Sequence, residues 1–163
     1  MSQLPDAETG IRYESFQTWP ELPAGPALRD LHALVFAHPD VTEAELRERL
    51  SWQRDPLVQL AWAGQQLVAY KIGHLRKEGH FYSWIGGVDP AFRGRGIASR
   101  LMQEQHAWCR ARGYASVRTH TKNKWRSMLI LNLRHGYDVI GSLTDELGEP
   151  KLILEKRLDE SAV

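Results

Sequence analysis

The chain has one cysteine, Cys109, so no disulfide can form within it and its stability must come from a packed core. Long apolar runs are missing too: none approaches the roughly 20 residues a helix needs to cross a bilayer. Nor does charge of one sign prevail. Lys and Arg total 21 against 20 for Asp and Glu, and a net charge of +1 gives no global basis for holding nucleic acid or a membrane. The opening "MSQLPDAETG" lacks the apolar core of a secretory signal, which with the lone cysteine gives a cytoplasmic expectation. The seven histidines show no HxxxH or His/Cys/carboxylate spacing, so no metal site is expected. Ser, His and Asp occur without the glycine context of a nucleophile elbow.

What is present is an ordinary globular composition, with 42% hydrophobic and 25% charged residues in 163, enough for one domain with a proper core. Residues 1–10 read as a flexible tail and 11–163 as the domain. "IRYESFQTW" has strand composition, and "LPAGP" then interrupts the chain. In "ALRDLHALVFAH", Leu28, Leu31, Leu34 and Val35 recur at helical spacing. "TEAELRERL" opens with Thr42 and Glu45 spaced as a capping box. Three runs rich in Val, Ile, Leu and aromatics follow, split by "AG" and "RKEG", as in an antiparallel meander.

Ile97, Ala98, Leu101, Met102, Trp108 and Cys109 trace a helical stripe closed by Gly113, which makes Cys109 a packing residue. "ASVRTHT" reads as a strand, "KWRSMLILNLRH" as a mostly buried helix, and the remainder as a hairpin around "TDELGE". The expected fold is α/β: one mixed, mostly antiparallel sheet of about seven strands flanked by about four helices.

One stretch departs from ordinary punctuation. "VDPAFRGRGIASRL" puts two arginines, two glycines and a proline between an apolar strand and a helix. Gly94 and Gly96 permit backbone conformations, or ligand approach, that a Cβ would obstruct. The amides at the start of the helix lack intrahelical partners, and the helix dipole adds about half a positive charge there. That is an anion site of the kind that holds phosphate, with Arg93 and Arg95 as further donors. A nucleoside-triphosphate loop would need Lys and then Ser or Thr where Ile97 and Ala98 stand. A dinucleotide fingerprint needs a parallel βαβ unit, whereas a meander precedes this loop.

Arg93-x-x-Gly96-x-Ala98, after Val88-x-Pro90, resembles the pyrophosphate-binding motif of the GNAT superfamily of acyl-CoA-dependent N-acyltransferases. The resemblance runs from about Leu28 to Leu158, because the element order agrees as well. It implies a splayed strand pair at an acetyl-CoA site, with acetyl-CoA as co-substrate. Pantetheine would pair with the backbone of Gly86, Gly87 and Val88. The amides of Arg93, Gly94, Arg95, Gly96, Ile97, Ala98 and Ser99 would hold pyrophosphate. Asn123, Arg126 and Asn132 become further cofactor contacts.

The reaction implied is direct attack of an amine on the thioester in a ternary complex. The positions where relatives carry a base hold Tyr82 and Trp84, with His80 on the same face, and these three are the catalytic candidates. Where many members place a proton-donating Tyr ahead of a Gly-aromatic pair, Asn132 precedes Gly136-Tyr137, and an amide cannot act as an acid. The expected acceptor is a primary amine of a small molecule, with no nucleic-acid or membrane partner, and the resemblance leaves a homodimer open. "TKNKWR" has too few cations for nucleic acid, and "TDELGE" is read as a solvated turn rather than an attractor for a cationic amine. The alternatives are a CoA-binding module without turnover and an acetyltransferase for protein N-termini or lysines.

Overall fold

The computed structural model describes residues 6–159. Strand β1 is Ile11–Phe16, followed by helices α1 (Ala24–Phe36) and α2 (Glu43–Ser51). The meander is β2 (Leu57–Ala63), β3 (Gln66–Lys77) and β4 (His80–Val88), and α3 (Ile97–Ala111) follows the glycine-rich loop. Then come β5 (Ser116–Lys122), α4 (Arg126–Arg134), β6 (Asp138–Thr144) and β7 (Pro150–Arg157). The strands form one sheet in the order β1-β2-β3-β4-β5-β7-β6. Every neighbouring pair is antiparallel except β4 and β5, which run parallel. This is the mixed α/β sheet expected from the element order.

Helices cover both faces. On one, Leu28 and Leu31 of α1 and Leu46 and Leu50 of α2 pack against Val58, Tyr70 and Ile72. On the other, α3 contributes Ile97 and Leu101 to one cluster and Met102 and Cys109 to another, the latter with Phe81 and Val117. Each fully buried aliphatic side chain contributes roughly 1.5–3 kcal/mol. Burial pushes the Cys109 thiol up to about 12, which keeps it an unreactive packing residue. The capping box on α2 forms: the Thr42 hydroxyl accepts from the Glu45 amide at 3.2 Å, and the Thr42 amide donates to the Glu45 carboxylate at 2.8 Å.

Two details differ from the sequence expectation. Helix α1 begins at Ala24, inside the segment read as a breaker, because Pro26 falls in the first turn, where its missing N–H costs nothing. Helix α4 is not mostly buried: only Asn132 is fully enclosed, while Ile130 and Leu133 are 40% and 47% exposed. The apolar run supplies one face to the sheet, and the outer turns have no second layer to pack against. Of the N-terminal tail, residues 1–5 lie outside the described residues. Residues 6–10 form a turn in which Gly10 donates to the Asp6 carbonyl and Arg100 of α3 pairs with Asp6 at 3.4 Å.

Candidate active site

The parallel pairing of β4 and β5 runs from His80↔Ser116 to Ser83↔Thr119 and stops. Beyond it, β4 stays bonded to β3 through Lys71↔Gly86, Tyr70↔Gly87 and Ala69↔Val88, while among the described residues no strand lies beside its other edge. A bulge accounts for the parting. The β3–β4 register shifts between Ile72 and Gly73, leaving Trp84 as an extra residue, and such an insertion bends a strand and sharpens its twist. The result is a V-shaped seam whose β4 wall offers free main-chain N–H and C=O groups, a template for an extended ligand. Gly87 is glycine for a packing reason: a Cβ there would sit 2.6 Å from Val35 Cγ1 of α1.

The seam leads into the glycine-rich loop. Asp89 accepts a bond from the Ala91 amide at 2.9 Å and caps a short 3₁₀ turn over Pro90–Phe92. Gly94 and Gly96 have φ of +75° and +78°, and a Cβ on either would meet nothing within 4 Å. Glycine is needed there for its left-handed backbone, not for space. Gly96 is the N-cap of α3, and no side chain among the described residues caps that helix, so the amides of Ile97, Ala98 and Ser99 are left for a ligand.

Both arginines are exposed and brace the loop. The Arg93 Nε donates to the Val88 carbonyl at 3.3 Å, and Arg95 donates to the Ala91 carbonyl at 3.3 Å while lying over the Phe92 ring. Ser99 Oγ shares a 2.6 Å hydrogen bond with His135 Nε2, which joins the start of α3 to the end of α4 and leaves the Ser99 amide for a ligand.

On the α3 side the seam opens into a cleft lined by Gly86, Gly87, Val88, Ala98, Met128 and Leu131, with Lys71 from β3. Asn132 is 3% exposed and follows Leu131 on α4. Asn123 sits in the turn between β5 and α4, and Arg126 is the exposed first residue of α4. Sequence reasoning missed Lys71, although a lysine within "LVAYKIGHL" is itself a signal, since a cation in a central strand must face something unusual.

The opposite face of the seam lies on the α1 and α2 side. His74, Tyr82, Arg118 and Glu155 form one cross-strand row over β3, β4, β5 and β7. The His74 and Tyr82 rings are 5.5 Å apart, and Arg118 pairs with Glu155 at 3.0 Å. His120 stands one residue past the last β4–β5 pair, with its ring 5.3 Å from that of Tyr82. Trp84 is stacked under the Arg49 guanidinium at 4.8 Å.

Burial, then Lys151, Arg118 and Arg76, lower the His120 pKa, so this imidazole stays neutral below its ordinary range. Burial lowers His74 and raises Tyr82, which keeps both uncharged near neutrality. His80 shares the face of Tyr82 and Trp84, as strand alternation implies, but sits at the closed end of the pairing. Its Nδ1 is hydrogen-bonded to Ser116 Oγ at 2.7 Å, three register positions below the last pair. The histidine at the opening is His120, which sequence reasoning missed because only the strand order carries it there.

The charged turns prove to be internal fittings. Lys122 pairs with Asp145 at 2.5 Å and with Glu149, and Lys124 pairs with Glu149 at 3.2 Å. Asp145 and Glu149 of "TDELGE" and the two lysines of "TKNKWR" therefore neutralise one another. Among the described residues, no group of three His, Cys, Asp or Glu is placed to hold a metal ion, and no helix is long and apolar enough to cross a membrane.

Comparison with known proteins agrees with this geometry. The model of the acetyltransferase (GNAT) family matches residues 25–126, more than half of the chain. An aminoglycoside 6'-acetyltransferase type Ii superposes with a TM-score of 0.77 at 17% identity, covering 91% of this chain and 99% of that one. The ribosomal-protein-S18-alanine N-acetyltransferase of Escherichia coli gives 0.75 at 14%, covering 92% and 96%. Ard1 of Thermoplasma volcanium gives 0.71 at 13%, covering 91% and 98%. A search of curated protein sequences returns no match. The chain belongs to the GNAT acetyltransferase family, and the class it defines is that of an acyltransferase.

Proposed function

We propose that the protein transfers an acetyl group from acetyl-CoA to a primary amine of a small molecule, by direct attack in a ternary complex. The observation that carries this reading is the continuity of the β4 edge beyond its last pair with β5, Gly86 to Val88, with the uncapped amides at the start of α3. An extended amide-bearing arm fits the first, and a pyrophosphate fits the second. Acetyl-CoA has both, at opposite ends of one molecule. A β4 main-chain N–H at the open edge polarises the thioester carbonyl, and no side chain is required for that step.

The amine approaches from the face of Tyr82, Trp84 and His120. His120, held neutral, takes the proton that the amine loses on attack, and the uncharged Tyr82 and Trp84 wall the pocket. The fixed charges of this face are mostly cationic: Arg49, Arg76 and Arg118 stand against Glu155, which Arg118 already pairs. Among the described residues the buried Arg76 Nε finds no hydrogen-bond partner. An acceptor with an anionic group near its amine suits this surface better than a polycation.

Thiol release from acetyl-CoA, measured with a panel of amino acids, polyamines, aminoglycosides and peptides, tests the reading. Turnover on amines that carry a carboxylate or phosphorus oxyacid is expected. Turnover on peptides alone would reject the small-molecule assignment. Absence of CoA binding in calorimetry would reject the reading altogether.

A further inference from the structure

The one ammonium in the cleft is Lys71. Its Cα stands opposite that of Gly86 across the β3–β4 ladder, and Lys71 Cγ lies 3.5 Å from where a Gly86 Cβ would be. A Cβ at 86 would press on the Tyr70 carbonyl at 3.0 Å and only touch the Lys71 stem, while a longer side chain there would share the cleft with the lysine. Around it are the β4 backbone from Gly86 to Val88, then Met102 of α3 and Met128 and Leu131 of α4. Among the described residues Lys71 makes no hydrogen bond and no ion pair. A lysine half-buried in an apolar cleft without a counter-ion is costly in the free protein and calls for a partner that arrives with a ligand.

We propose that Lys71 is the catalytic acid, donating its Nζ proton to the sulfur of CoA as the thioester breaks; this rests on the acetyl-CoA reading of the cleft. The amine nitrogen bonds to the carbonyl carbon and the C–S electron pair goes to sulfur. One Lys71 N–H proton follows it, so CoA leaves as the thiol. The proton lost by the amine goes to His120. Solvent then reprotonates Lys71 and deprotonates His120 as the products depart. The acid stands on the α3 side of the sheet and the base on the α1 side, so the two proton transfers do not compete for one site.

Desolvation brings the Lys71 ammonium down to about 8, close to the ordinary thiol value of about 8.5, which makes donation to a thiolate nearly balanced. The titratable groups around it are Cys109, whose thiolate form would raise the lysine, and two histidines, His106 of α3 and His135 after α4. His106 is held neutral, lowered to about 3 by burial and then by Lys156 and Lys71, and bonds to the Tyr137 hydroxyl at 2.9 Å. His135 is lowered by burial, then by Lys156 and Lys71, and bonds to Ser99. None of these supplies a negative charge near neutrality, so the thiolate would be the first.

Ionisation of the bound CoA thiol, followed by ultraviolet absorbance against pH at saturating protein, tests this without any acceptor. In the unaltered protein the bound thiol should ionise at least about one pH unit lower than in Lys71→Met. Equal values in the two would overturn the proposal. Lys71→Arg keeps the charge but cannot give up a proton, so it should keep the thiol shift.

With an acceptor in hand, both variants should lose roughly 100-fold in kcat and the fall of kcat at alkaline pH, while acetyl-CoA affinity stays within about threefold. Restoration of kcat by arginine, or an unchanged kcat in Lys71→Met, would remove the acid role. Failure of the unaltered protein to bind CoA would sink the cofactor reading and this role with it. Binding with no lysine-dependent thiol shift would sink this role alone.

Discussion

On the side of the β4–β5 seam that we assign to the donor, from Gly86 to Ser99, the groups offered are chiefly main-chain amides, set by a bulge, two left-handed glycines and an uncapped helix. On the acceptor side they are side chains, His74, Tyr82, Arg118 and His120, drawn from three strands. A surface of the first kind reads extended backbone and phosphate and tolerates change in most side chains. The second kind is rewritten by any substitution. A family can therefore keep one donor and vary its acceptors, because the two specificities are written in different chemical material.

Gly96→Asp strikes hardest at the donor side. Aspartate enters the left-handed region more readily than most residues, so the φ of +78° is a tolerable strain and the fold should persist. Its carboxylate would occupy the helix entrance and repel phosphate, while competing for the amides that should bind it. Loss of several charge-assisted bonds predicts about a 1,000-fold weaker Kd for CoA, close to 4 kcal/mol, by calorimetry. A folded variant with unchanged affinity would show that the loop is not the pyrophosphate site.

His120→Ala is the matching stroke on the acceptor side. kcat should fall about 100-fold with acetyl-CoA affinity unaltered, because the base acts on the amine and not on the donor. Burial, and after it the cations around His120, lower its pKa, so the acid limb of kcat/KM in the unaltered protein should lie below the ordinary histidine value of about 6.5. Arg76→Met removes one of those cations and should move the limb to higher pH. A limb that stays in place would assign it to another group.

The same contrast explains what could be read from the sequence. The meander, the α3 stripe, the capping box at Thr42 and the RGRG loop were all legible, because periodicity and glycine placement act over a few residues. The row His74–Tyr82–Arg118–Glu155 was not, since it exists only after β5 docks beside β4 and β7 beside β5. His80 drew attention through its place on the same strand as Tyr82, and strand pairing then put it at the closed end. The α4 run "MLILNL" misled in another way, because hydrophobicity reports which residues favour burial but not how many layers are present to bury them. Lys71 was legible in principle, since a cation inside an apolar strand breaks the local pattern.

Gly87→Ala asks whether the donor wall depends on α1. The added Cβ would meet Val35 at 2.6 Å in a buried position, so the expected cost is roughly 1–3 kcal/mol in thermal or denaturant melts. Val35→Ala made together with it should recover much of that stability, and coupling of this kind marks direct contact. Additive losses would mean that Gly87 serves the ligand edge rather than the packing of α1.

The smallest effect belongs to the charged hairpin turn, where acids and lysines meet away from the seam. Asp145 is held below the ordinary carboxylate range by its bond to Lys122, then by the Glu149 amide, and Lys122 is held above the ordinary lysine range by Asp145 and then Glu149. A lowered acid contributes stability that is present above its unfolded pKa, about 3.9, and lost as pH falls through its folded value. A raised lysine contributes below about 10.4 and loses that contribution as pH rises through its folded value. Asp145→Asn should therefore lower Tm slightly between these limits. The difference should shrink in high salt and vanish in acid, where the native aspartate is protonated as well. Since Lys122 keeps Glu149, turnover on an anionic amine should not change. A loss of turnover would place the turn in the acceptor site and break the division between the two sides.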